Sequence, residues 1–116
     1  MARTRIDIQP VRNITTNYAQ PGNEAATVGN MRQGVVYLNT FKVQASGAGV
    51  VIETATDRNL GDGTGNNFWV TVATLSPTAA GVLKATITDL GEVIRFRTTG
   101  IASEFSFSLV AFLSDQ

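Results

Sequence analysis

Two residue types are missing from this 116-residue chain: it holds no cysteine and no histidine. Without cysteine there is no disulfide, no thiolate metal site and no thiol nucleophile. Without histidine the chain lacks the commonest general base and the commonest transition-metal ligand. A hydrolase built from what remains needs a Ser–Lys pair or paired carboxylates. Lys42 and Lys84 fall on predicted strands among threonines, with no serine motif beside them. The carboxylates Glu53, Asp57, Asp62, Asp89, Glu92 and Glu104 mostly flank turns, where such residues are ordinary. The expectation is a non-enzymatic protein with no cofactor and no bound metal.

Net charge is also absent: nine basic residues balance nine acidic ones. That is far from the basic footprint of a nucleic-acid binder, so no nucleic-acid partner is expected. The balance is uneven along the chain. Residues 1–32 carry Arg3, Arg5, Arg12 and Arg32 against Asp7 and Glu24, a surplus of +2, and the remainder carries −2. Seven of the nine basic residues are arginine, which fits fixed contacts at protein interfaces and codon bias alike. No apolar run approaches the ~18 residues of a membrane helix, and the opening Met1-Ala-Arg-Thr-Arg-Ile-Asp-Ile lacks the apolar core of a secretion signal. A soluble chain made in the cytoplasm, with no membrane partner, is expected. The sequon Asn13-Ile14-Thr15 is then a chance match.

What is abundant is β-branched. Thr, Val and Ile together make 34 of 116 residues, whereas Leu is 7, Glu 4, Lys 2 and Met 2. Such side chains suit a pleated, half-buried surface, and 11 glycines supply many turns. The composition predicts one all-β domain, large enough for a core without staples.

Residues 1–33 read differently from the rest. Ile6 and Ile8 alternate with Arg5 and Asp7, predicting a short strand over 4–9 that Pro10 caps or places at an edge. Ala19–Met31 has no period and reads as a loop or extended arm. The division expected is an N-terminal arm and loop over 1–33 and a β-sandwich over 34–116. Predicted strands follow at Gly34–Gln44 and Val50–Thr56, read as a hairpin, then at Phe68–Leu75. Three more, Val82–Thr88, Glu92–Thr98 and Glu104–Leu113, are joined by short turns and read as an antiparallel meander. The spacing fits an antiparallel β-sandwich, jelly-roll-like, or a small barrel. Between Asp57 and Asn67 lies a Gly/Asn/Asp loop. It fails the EF-hand pattern, because Asp62 and Phe68 stand where glycine and glutamate are needed, and no helix follows to make it a phosphate cradle. A plain connection is expected there.

Trp69 and the other aromatics could line a sugar- or base-binding face, but a single Trp in a sandwich is expected in the core. Exposed aromatics would favour a carbohydrate-binding module; a buried Trp69 would count against it. Phe112 falls on the face opposite Phe105 and Phe107, and Trp69 opposite Phe68. A strand apolar on both faces must be covered on both, so the second cover must come from an arm or another chain. Arg95 and Arg97 suit a partner contact as well as a solvated face.

The runs FWVTVATL (68–75), A-x-I-x-D-L-G-x-x-I-R-F-R (85–97) and FSFSLVAFL (105–113) resemble the small β-sandwich structural proteins of tailed bacteriophages, head decoration (cement) proteins above all. The resemblance covers about 45 residues. It implies a virion protein, on the outer surface of an assembled head, that binds the major capsid protein, braces neighbouring capsomers and forms a homo-oligomer, commonly a trimer. It also implies an N-terminal arm, here residues 1–18 with Arg3, Arg5, Ile6, Ile8 and Arg12. It brings no catalytic residues. Another virion role in tail, connector or fibre tip, or a carbohydrate-binding β-sandwich, are the alternatives.

Overall fold

A computed structural model describes residues 3–57 and 68–115. The strands are β1 (Thr4–Ile14), β2 (Ala26–Thr27), β3 (Gln33–Lys42), β4 (Gly49–Ala55), β5 (Val70–Leu75), β6 (Gly81–Ile87), β7 (Val93–Thr99) and β8 (Phe105–Ser114). A single 3-10 turn, Gly22–Glu24, precedes β2. The strands form two four-stranded antiparallel sheets, β1-β8-β3-β6 (sheet A) and β2-β7-β4-β5 (sheet B).

That order has a simple origin. Strands pair or lie opposite as 1 with 8, 2 with 7, 3 with 6 and 4 with 5, so the chain behaves as one long hairpin rolled onto itself. The result is the eight-stranded jelly roll, an arrangement that manages sheet edges by doubling the sheet. The expected β-sandwich is correct, and of the two forms left open the strand order is that of the jelly roll.

Two local expectations fail for one reason. Gly34–Gln44 and Val50–Thr56 are not a hairpin, because β3 lies in sheet A and β4 in sheet B. Likewise β6, β7 and β8 are not a meander, since β7 crosses to the other sheet. These short connections are arches from sheet to sheet. Gln44 locks two of them together: its amide donates to Ser46 O (2.7 Å) and Gly100 O (2.9 Å) and accepts from Ala102 N–H (2.8 Å). The arches touch so closely that a Cβ on Gly100, at φ +66°, would lie 2.1 Å from Gly47 O.

The expected arm is also corrected. Residues 4–14 pair with β8 along their length, from Thr4↔Leu113 to Ile14↔Phe105. Ile8 and Ile14 are buried in the main core, and Ile6 packs against it. The sequence hides this because β1 is broken by register shifts on both sides of Gln9. Pro10, lacking an N–H, is accommodated at that irregular stretch of an edge strand. Residues 4–33 are therefore part of the sandwich: Val28 shares the core of β3 to β8.

Between the sheets Val36, Leu38, Val50, Ile52, Ile87, Ile94, Phe96, Phe105, Phe107, Leu109 and Leu113 are all but fully excluded from water. Phe107 joins the sheets, stacked on Phe105 (centroids 4.4 Å) and edge-on to Phe96 (5.5 Å).

Candidate functional site

The two sheets treat their outer faces differently, and that difference locates the surfaces available for function. Sheet B is covered from outside by its own chain. Residues 17–20 run along the far half of β7: Thr98 N–H donates to Tyr18 O (2.8 Å), Gln20 N–H to Phe96 O (3.1 Å), and the Gln20 side-chain oxygen accepts from Phe96 N–H (3.0 Å). Ala25, Ala55, Trp69 and Val93 make a small second core on this face. Every residue of β4 is buried as a result. The cover that a doubly apolar strand requires comes here from Ala25 and from Trp69 itself, while residues 18–20 and β2 extend the sheet along the β7 edge.

Beneath that cover lies a buried ionic group. Glu53 Oε1 accepts from Arg95 Nε (2.9 Å) and Nη2 (2.8 Å), and Oε2 accepts from Arg97 Nε (3.1 Å). The side chains of Glu53 and Arg95 are each 4% exposed. Arg95 Nη1 also donates to Gln20 O (2.9 Å), and its guanidinium lies 4.4 Å from the Trp69 ring centroid. Arg95 and Arg97 were expected at a partner contact. Arg95 is instead interior, because its β4 register partner is Glu53 and Gln20 O and the Trp69 ring close over its guanidinium; Arg97 is half-buried and holds the same carboxylate.

The remaining expected interface residues do not converge. Arg3 and Arg5 are exposed, with Arg5 paired to Asp7 (3.0 Å). Ile6 and Ile8 point into the core. Arg12 stacks on Tyr18, its guanidinium carbon 3.9 Å from the ring centroid. Partial burial, then the hydrogen bond from its hydroxyl to Glu24, hold the Tyr18 phenol above its ordinary pKa.

Sheet A has no such cover among the described residues. Across its outer face run the register rows Arg5–Phe112–Val35–Thr86, Asp7–Val110–Tyr37–Lys84 and Ser108–Asn39–Val82. Val35, Tyr37, Val110 and Phe112 are half-buried, with Tyr37 edge-on to Phe112 at 5.9 Å. Val82, on the edge strand β6, is 62% exposed. The patch is thus centred on β8 and β3 and reaches the β6 edge. At one end of the face Lys42 and Glu104 form an exposed ion pair (2.7 Å). The Lys42 ammonium and the Asn13 amide hold the Glu104 carboxyl below its usual range, and Glu104 holds Lys42 above its own.

A third feature is a cavity of about 540 Å³ between the end of β4, the start of β5 and the turn after β6. Its described lining comes from Thr54–Thr56, Phe68, Val70–Val72 and Thr88–Gly91. Trp69 is buried, which counts against sugar binding through that ring, whereas Phe68 beside it is 46% exposed. No cluster of metal-ligating side chains occurs among the described residues. The loop from Asp57 to Asn67 lies, beyond Asp57, outside the described residues.

Comparison with known proteins identifies the fold class, a two-sheet antiparallel β-sandwich, and nothing narrower. No protein-family model matches the chain, and no curated protein matches. Among solved structures, a carbohydrate-binding module of a Cellvibrio mixtus lichenase, in complex with cellotriose, superposes over the whole of both chains with a TM-score of 0.52 and 8% identity. A Bacillus endospore appendage pilus protein gives 0.49 and 12%, covering all of this chain and 93% of its own. At those identities the likeness is one of fold alone.

Proposed function

We propose that this chain is a structural subunit of a bacteriophage virion that attaches to the outside of the assembled head, as a homo-oligomer, and braces neighbouring capsomers. One observation carries the reading: sheet B is closed on its outer face by the chain's own Ala25 and Trp69, while sheet A leaves the apolar residues Val35, Tyr37, Val110, Phe112 and Val82 to be covered by something else. Scattered apolar residues are normal on a surface, but a contiguous patch bordered by charges marks an interaction face.

The edges agree with this. The β1 edge carries Arg5, Asp7, Arg12, Pro10 and two register shifts, the devices that block edge-to-edge pairing. The β6 edge, GVLKATI, has one lysine and neither bulge nor proline, so further association is directed to one side. Sheet A's outer face and the β6 edge then serve contacts between copies, while the arginine-rich β1 side remains for the shell. A subunit that binds only the assembled, expanded shell stabilises it by mass action.

The test is sedimentation of purified protein with expanded and unexpanded bacteriophage heads, both assembled from a major capsid protein. Co-sedimentation with expanded heads alone is expected. Failure to bind either form refutes the head assignment.

A further inference from the structure

We infer that sheet A joins two copies of this chain, outer face to outer face, about a two-fold axis along the strands, with Asp7 of each copy against Lys84 of the other. This pairing rests on the reading of that face as a contact between copies, and adds its symmetry and its polar contacts.

In β8 the side chains of Leu109, Ala111 and Leu113 are buried in the core, so Ser108, Val110 and Phe112 between them point to the opposite, outer face. Residues directly opposite in an antiparallel ladder share a face, which extends these positions into rows. One row reads Asp7–Val110–Tyr37–Lys84 and its neighbour Arg5–Phe112–Val35–Thr86. Both are apolar or aromatic in the middle, on β8 and β3, and polar at the ends, on β1 and β6. The two rims of the first row carry opposite charges. The Asp7 side chain is 56% exposed, and Lys84 is exposed as well. In the third row the Asn39 amide donates to the Ser108 hydroxyl (3.1 Å), with Val82 at the β6 end.

A two-fold contact sets one surface against itself, so a residue that meets a second residue is met by it in return. An axis along the strands, midway between β8 and β3, lays β1 of one copy over β6 of the other and β8 over β3. Asp7 then faces Lys84 at two symmetry-related places, Val110 faces Tyr37, Phe112 faces Val35 and Ser108 faces Asn39. Apolar positions of the central strands meet apolar positions, and the amide and hydroxyl of the third row meet each other. An axis across the strands lays each strand on its own copy instead. The strand β6, GVLKATI, holds no acidic residue, so in that arrangement Lys84 meets no carboxylate. Opposite charges at matched positions fix orientation and register more than they add affinity. Sheets packed face to face lie about 10 Å apart, a gap that an aspartate and a lysine side chain together span. Arg5 already pairs with Asp7 within the chain (3.0 Å), and Lys84 of the other copy completes a group in which one carboxylate serves two cations. Only the outer face of β1 takes part, so its edge remains for the shell.

The experiment measures solution mass by light scattering, over a concentration series, for the intact parent, Asp7→Lys, Lys84→Asp, the double variant Asp7→Lys/Lys84→Asp, and a mixture of the two single variants. The parent is expected as a pair of chains. Each single swap sets like charges against each other at both symmetry-related places and should raise the dissociation constant about a hundredfold or more. The double variant restores opposite charges, and so does the mixture, in which one chain supplies both cations and the other both carboxylates; each should recover the paired mass. Both side chains are exposed, so an unchanged circular dichroism spectrum is expected and separates a lost contact from a lost fold. A parent of three chains, single swaps that keep the parent's mass, or a double variant that stays dissociated would each overturn the two-fold pairing while leaving a contact between copies standing. A monomeric parent would overturn both. Attachment to heads is read separately, by sedimentation.

Discussion

Replacing Glu53 by Gln tests the interior logic of sheet B. The glutamine keeps the shape but removes the charge, leaving the Arg95 guanidinium buried beside an amide. Removing one partner of a buried pair costs about 3–5 kcal/mol, because the other charge remains desolvated. Arg97 contributes little to that figure, since it reaches water and surface pairs are worth about 1 kcal/mol or less. A domain of this length has roughly 6–17 kcal/mol of stability in total, so the variant should fold but be markedly weakened, with a melting temperature lower by roughly 12–20 °C. Urea unfolding followed by Trp69 fluorescence suits the question, because that ring lies 4.4 Å from the Arg95 guanidinium carbon. Arg97→Gln should cost less than about 1 kcal/mol. Replacing Glu53 and Arg95 together by Met and Leu should recover most of the loss, since well-packed apolar groups replace buried ion pairs without penalty. A Glu53→Gln variant within about 1 kcal/mol of the parent would refute the claim that Arg95 is held desolvated by this carboxylate.

Three further outcomes follow from the fold. Deleting residues 1–14 removes the β8 partner strand and the buried Ile8 and Ile14, each worth about 1.5–3 kcal/mol of burial; the truncated chain should lose cooperative unfolding, and a dispersed amide spectrum would contradict the integration of β1. Gly100→Ala should destabilise by more than about 1 kcal/mol in urea, because the position combines positive φ with a backbone contact that no Cβ fits. The Lys42–Glu104 pair sets a pH signature. A carboxyl lowered in the folded state adds stability above its ordinary pKa and loses it as pH falls through the lowered value; a raised lysine loses its contribution as pH rises through its own raised value. The urea midpoint of the parent should therefore exceed that of Glu104→Gln at neutral pH and converge with it in acid, and a constant gap down to strongly acidic pH would contradict that.

The strands themselves were legible in the sequence, because inner-face residues such as Phe105, Phe107 and Leu109 alternate with outer ones. Which strands pair was not. A short Gly-containing connection looks alike whether it closes a hairpin or arches between sheets, and only the three-dimensional roll distinguishes the two. Pro10 and the shifted register cut the β1 pattern in half, which made a strand of the sandwich read as an arm. The need for a cover over doubly apolar strands was visible in Trp69 and Phe112, but its source was not. For sheet B the cover is Ala25 together with Trp69 itself, and the stretch around Tyr18 and Gln20 pairs along the β7 edge through backbone bonds that leave no hydrophobic period. Arg95 and Arg97 looked outward by alternation and do lie on the outer face of β7; the overlying chain makes Arg95 interior. The cavity gave a weak signal only: an Asp-Leu-Gly turn following a strand, and Phe68 out of phase with Trp69.

The uncovered face of sheet A is the proposed contact between copies. Its most direct test is the solution mass by light scattering of the parent protein and of the Tyr37→Lys/Val82→Lys variant, with the fold of each checked by urea unfolding. The account predicts an oligomer for the parent, built from pairs of the 12.3 kDa chain where the bacteriophage resemblance alone implies a trimer, and a folded monomer for the variant. A monomeric parent, or a variant that keeps the parent's mass, would contradict it.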